Sequence, residues 1–335
     1  MDGLRTIVGL ILLGCLALGL RVCAVWTASP AGDASRALQF LQCLIGTATV
    51  LAVAGLGWSL VGPRRGVGWL AALGLAVYPP QVSAATYPQA ALWAGLALAC
   101  LLGVAVSPRW QTSRAGGVLA GCLAGLLVLL EPAAVGATPI CVAIFWWGAE
   151  PRPASQRLRG AALGRLLIPA GVAAAIVVGW YGGSWLLGRG TSPPPAGEGQ
   201  FYLQRLRDFL LAGPAGPARP SSPLDRFATI ACLVLAAMGC CTSWPRWRTL
   251  WPTAAIFAAV TLSGMWGWTA PASRLAIEPL AFLWAALAVA PPLARLFAAR
   301  QVRVYRPGER AEDPLGRAHV LRGPHYDVGV RRRAG

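Results

Sequence analysis

The chain has 335 residues, of which 56% are hydrophobic and only 12% charged, whereas an average soluble domain is roughly 25% charged. Mean hydropathy is +0.58, so a water-soluble globule is excluded and a polytopic membrane protein is expected. All 29 basic residues are Arg, giving a net charge of +17; the absence of Lys excludes Schiff-base chemistry. Both histidines, His319 and His325, stand in the polar C-terminal stretch, which excludes a Ser/His/Asp triad or a His-ligated metal within the apolar body.

In chain order, apolar runs predict spans over residues 6–26, 38–62, 66–84, 88–107, 115–131, 133–149, 164–188, 227–244, 249–269 and 275–297. The expected fold is therefore an all-α transmembrane bundle of about ten helices. Arg5 and the sequence Leu12-Leu13-Gly14-Cys15 raise the question of a cleaved leader. The run continues unbroken to Leu20, which favours an uncleaved first span. Gly66 to Ser107 holds no charge over 42 residues, about 63 Å as a helix at 1.5 Å per residue, or twice the roughly 30 Å hydrocarbon thickness. The chain must fold back there, and Pro79-Pro80 marks the break. Glu131-Pro132 likewise divides the stretch from Ala115 to Ala149 into two helices.

Arginine placement fits both termini on the cytoplasmic side. With that orientation 21 arginines fall inside and 8 outside, the outer set being Arg21, Arg36, Arg189, Arg205, Arg207, Arg219, Arg226 and Arg274. The same topology puts Asp33, Glu131, Glu198, Asp208, Asp225 and Glu278 on the outer side, where any chemistry is expected. The domain plan is a membrane module over residues 1–299, interrupted by an outer polar loop at 189–226, and a basic, disordered tail over 300–335. In the loop, Phe201 to Leu211 has helical amphipathic spacing and suits either a surface-lying helix or an ordinary loop helix. The tail, ending Arg331-Arg332-Arg333, is expected to face anionic lipid rather than nucleic acid. The nine cysteines form no CxxC pair and read as small buried hydrophobes. Gly117, Gly121 and Gly125 form a ridge for close helix packing.

Four charged residues at or near membrane depth are the candidate site, because such groups are costly unless paired or facing water. Asp33 is placed to serve either as a general base toward an acceptor hydroxyl or amine or as the N-cap of the second span. Arg274 offers a planar fork suited to a phosphate oxyanion, or it snorkels at a span end. Glu278 lies four residues later, so an i, i+4 pair with Arg274 is geometrically available. Glu131, before Pro132, is read as an exposed turn residue or as a ligand for a cation or substrate.

Three of these positions recur within longer segments. The run from Arg36 to Val50, continued through Gly62-Pro63-Arg64-Arg65-Gly66-Val67-Gly68 and Leu73 to Tyr78-Pro79-Pro80, resembles the second and third spans of GT-C glycosyltransferases of the protein-mannosyltransferase and aminoarabinose-transferase type. Gly121 to Pro132 is similar to that family's fifth span and closing turn, and Arg274-Leu275-Ala276-Ile277-Glu278-Pro279 to its late motif. The resemblance runs in order from about residue 5 to 295. It implies a polyprenyl-phosphate-linked sugar as donor and no nucleotide sugar or soluble cofactor, with the need for a divalent cation left open. It places the catalytic base at Asp33 and a phosphate-facing arginine at Arg274; Glu278 and Glu131 complete the expected substrate-binding set, and a bacterial plasma membrane is the expected location. The first outer loop is short, about 11 residues, and Glu131 stands where the family has an arginine.

Two functions follow. One is an outward-facing glycosyltransferase. The other is a scaffold or lipid-binding subunit built on the same bundle without its chemistry. Coupled transport is disfavoured, since the spans lack paired intramembrane acids and an inverted repeat.

Overall fold

In the computed structural model the described residues are 2–27, 33–61, 66–86, 89–111, 113–131, 137–141, 167–176, 178, 223–243, 247–265 and 274–302. The chain divides into two compact units, Met1–Pro291 and Pro292–Gly335, and every candidate site residue lies in the first. The described residues contain helices and no strand: α1 (Asp2–Thr27), α2 (Asp33–Val61), α3 (Val67–Val77), α4 (Pro79–Ala84), α5 (Ala90–Val106), α6 (Pro108–Gln111), α7 (Arg114–Leu130), α8 (Leu167–Ile176), α9 (Pro223–Thr242), α10 (Trp247–Met265) and α11 (Arg274–Val302). Residues 137–141 are also helical.

Four of these helices carry stretches long and apolar enough to cross a membrane: Leu4–Thr27, Arg36–Val61, Pro223–Thr242 and Arg274–Ala294. The chain is an integral membrane protein on that ground. The predicted spans at 133–149 and 164–188 lie largely outside the described residues, as do the amphipathic stretch 201–211 and the tail beyond 302.

The predicted span at 66–84 is two helices rather than one. Pro79 has no N–H and its ring pushes the preceding residue out of the helical region, so Tyr78 is extended (φ −70°, ψ 116°) and separates α3 from α4. Glu131 ends α7 in the same way, extended at φ −145°, ψ 91° before Pro132. At the other end of α7, the Ser113 hydroxyl accepts a hydrogen bond from Gly116 N at 2.9 Å and caps the helix.

Small residues hold the bundle together, as they must where lipid tails are as apolar as the helix faces. α2 packs against α1, α3 and α5, and α5 against α7. A Cβ on Gly57 of α2 would lie 2.5 Å from Gly68 Cα of α3, so backbones meet at that crossing, with Trp58 and Trp69 stacked edge to face at 5.2 Å beside it. The glycine ridge of α7 serves the packing role expected of it: Gly121 faces Pro169 and Val172 of α8, and Gly125 faces Ile176. All nine cysteines are free, but only Cys43, Cys141 and Cys232 are buried; Cys15, Cys23, Cys122 and Cys241 are exposed on the helix faces. In an apolar solvent a cysteine has no reason to turn inward, which corrects the sequence reading.

Candidate functional site

Among the described residues, a buried polar constellation forms where α4 meets α11. Pro279 stands in the first turns of α11 and cannot donate to the carbonyl four residues back, Leu275 O. Gln81 of α4 supplies the missing donor: its Nε2 lies 3.0 Å from Leu275 O and 2.8 Å from Glu278 Oε2. A proline defect in a membrane helix is tolerated when a neighbour satisfies the freed carbonyl, and here one amide does so while also binding a carboxylate.

Glu278 Oε1 accepts from Arg274 Nε at 3.0 Å. The i, i+4 pair expected from the sequence is therefore formed, and both side chains are buried, at 5% and 4% exposure. With Arg274 on one oxygen and Gln81 on the other, Glu278 clamps α4 to α11. Arg274 is accordingly not a snorkelling arginine, because its guanidinium turns inward to meet this carboxylate. The Tyr78 hydroxyl is 2.8 Å from Thr229 Oγ1 of α9, and its ring meets Phe282 of α11 edge to face at 4.9 Å. Gln39 of α2 donates to Thr86 O at 2.8 Å. The short α4 is thereby tied by side chains to α11 on one side, and the residues flanking it to α2 and α9.

The other candidates fall elsewhere. Asp33 is the first residue of α2, a position compatible with either reading given to it. Glu131 is buried at 7% exposure, which corrects its reading as an exposed turn residue: the helix break carries it inward instead of to solvent. Arg21, assigned from the sequence to the outer arginines, is inside α1 and fully buried. Sequence reading also passed over Gln81. Its one signal was position, an amide directly after the Pro79-Pro80 helix start in a stretch without charge.

Among the described residues no group of three or more His, Cys, Asp or Glu side chains is arranged to hold a metal ion. An apolar cavity of about 220 Å³ is lined by residues of α9, α10 and α11 that include Leu233, Phe257 and Trp284, with none of the polar residues above in its wall.

No protein-family model and no curated protein matches the sequence. Among solved structures, the chain is similar to the Archaeoglobus fulgidus oligosaccharyltransferase tethered with an acceptor peptide containing the NVT sequon, at 16% identity and a TM-score of 0.47, over 88% of this chain and 42% of that one. It is similar to the apo form of that protein at 14% identity and a TM-score of 0.45, over 88% of this chain and 43% of that one. The chain thus spans less than half the length of the solved structures it matches.

Proposed function

We propose that this chain is a membrane glycosyltransferase of GT-C type that takes its sugar from a polyprenyl-phosphate carrier at the outer face of a bacterial plasma membrane. The observation that carries the reading is the junction of Tyr78-Pro79-Pro80-Gln81 with Arg274 to Pro279. Two of the segments on which the sequence resemblance rests, one ending at Pro80 and the other starting at Arg274, lie nearly 200 residues apart, and Gln81, the residue after the first, hydrogen-bonds Glu278 within the second. The apolar cavity beside α11 is of a kind that suits an isoprenoid chain.

In this reading ten spans leave both termini in the cytoplasm, with the basic tail against anionic lipid. Asp33 removes the proton from the acceptor hydroxyl or amine. That atom attacks the sugar's anomeric carbon, and the bond from this carbon to the phosphate oxygen breaks with inversion. The electron pair leaves on polyprenyl phosphate, steadied by Arg274. Glu278 orients Arg274, and Glu131 borders the substrate.

A second reading is favoured by one observation: Arg274 is buried and its Nε is engaged by Glu278. A bundle whose cation is neutralised from within suits a scaffold or lipid-binding subunit. Mass spectrometry of lipids copurifying with the detergent-extracted chain separates the two. The enzyme reading expects polyprenyl phosphate on the wild type and its loss in Arg274→Ala, with transfer abolished but lipid retained in Asp33→Asn. Only bulk phospholipid on the wild type would establish the scaffold reading instead.

A further inference from the structure

The helices α5 and α7 pack against each other, have 17 residues each and are joined by the turn that carries α6. At 1.5 Å per residue each is about 26 Å long, near the least that reaches across a hydrocarbon core of roughly 30 Å. Helices this short draw the turn between them to the edge of the hydrocarbon instead of leaving it in water. Arg109, Trp110 and Arg114 are all exposed there, Trp110 at 42%. An indole at a helix end sits at headgroup level, and arginines beside it extend to that level too.

The backbone that carries these side chains is pinned. Gln111 is buried, and its amide donates to Ala105 O in the last turn of α5. Ser113 N donates to Trp110 O at 3.2 Å, while the Ser113 hydroxyl caps α7. Gly116 leaves room for this turn, since a Cβ there would run into Trp110 O. None of α5, α6 and α7 contains an acidic residue, so the charge that these elements present is of one sign. Beyond Arg114, the exposed residues of α7 are Val118, Leu119, Cys122 and Leu126. With Arg114 they fall within an arc of about 140° at about 100° per residue, so the arginine heads an apolar strip on its own side of the helix. Helical side chains lean toward the N-terminus, which carries Arg114 off this strip toward the headgroups.

We infer that the turn holding Arg109, Trp110 and Arg114 binds the headgroup of an anionic glycerophospholipid, its phosphate taken by the two arginines and its acyl chains lying along the exposed strip of α7. Guanidinium groups match phosphate oxygens, and both are open to the bilayer surface. Charge selects an anionic lipid over a zwitterionic one, because the ammonium group of a zwitterionic headgroup is repelled by the same arginines. The site uses neither Arg274 nor sugar transfer, so it stands or falls apart from the reading above.

The test uses the full chain in uncharged detergent at physiological ionic strength, titrated with dioleoyl phosphatidylglycerol or dioleoyl phosphatidylcholine while native mass spectrometry follows the first bound lipid. One arginine at a membrane surface favours anionic lipid by about fivefold. The wild type is therefore expected to prefer phosphatidylglycerol by about 25-fold, each of Arg109→Gln and Arg114→Gln to lose about fivefold of this, and the double variant nearly all. Both side chains are exposed, so the melting temperature without lipid should not change. No preference in the wild type, or a double variant that loses less than about fivefold, would overturn the site; the second result would assign the preference to arginines elsewhere, such as those of the tail. Equal binding of glycerophosphoglycerol, the same headgroup without chains, would overturn its assignment to a lipid.

Discussion

Gln81 and Glu278 are 197 residues apart in sequence and 2.8 Å apart in space, and the amide that joins them also satisfies the carbonyl that Pro279 leaves without a donor. One side chain thus stabilises a charged group and repairs a helix. Gln81→Leu removes both bonds at once. A hydrogen bond to a charged group contributes about 1.5–3 kcal/mol, so the variant is expected to lose about that much or somewhat more, read as a lowered denaturation midpoint in detergent. Gln81→Glu should be worse, because it sets a second carboxylate against Glu278.

The Arg274–Glu278 pair calls for a double-mutant cycle. Arg274→Ala leaves a buried carboxylate with one partner fewer, and removing one member of a buried pair costs about 3–5 kcal/mol. The double variant Arg274→Met with Glu278→Leu removes both charges and is expected to be markedly more stable than either single variant. Simple addition of the two single losses would mean that the pair contributes nothing as a pair. The double variant also serves the lipid experiment, since it loses Arg274 without stranding Glu278.

Tyr78→Phe keeps the ring against Phe282 and removes only the hydroxyl that meets Thr229. A loss of about 1 kcal/mol is expected, whereas Tyr78→Ala, which also removes a buried aromatic ring, should cost about 3–5 kcal/mol. Equal losses for the two variants would place all of the contribution in the hydroxyl.

Gly57→Ala tests the α2–α3 crossing. The added methyl meets Gly68 Cα at 2.5 Å, and backbone cannot swing aside as a side chain does. The expected cost is about 1–3 kcal/mol, measured by thermal unfolding in detergent. Gly55→Ala, which meets nothing within 4 Å, is the control and should be neutral or slightly stabilising, since alanine favours the helix by about 1 kcal/mol over glycine.

Asp33→Asn bears on function alone. Loss of transfer with an unchanged melting temperature is expected if Asp33 is the base. Asparagine caps a helix as well as aspartate does, so a cap would show instead in Asp33→Ala, as a loss of about 1 kcal/mol of stability with transfer intact.

What the sequence determined by itself is whatever depends on neighbours along the chain. Among the described residues, the apolar runs expected at 6–26, 38–62, 88–107, 115–131, 227–244, 249–269 and 275–297 become helices within about five residues of those limits. Pro79 breaks one helix and Pro132 follows the end of another, because proline acts on the residue before it and on the carbonyl four back. Arg274 and Glu278 meet because four residues make one helical turn. Tertiary structure alone decided which way each helix turns. A membrane helix is apolar around its whole circumference, so no polar stripe marks the face that meets its neighbours. That is why the burial of Arg21 and Glu131, the partner of Tyr78 and the double role of Gln81 could not be read from their positions in the chain. Each depends on contacts between helices far apart in sequence, and hydropathy does not distinguish a residue facing lipid from one facing protein.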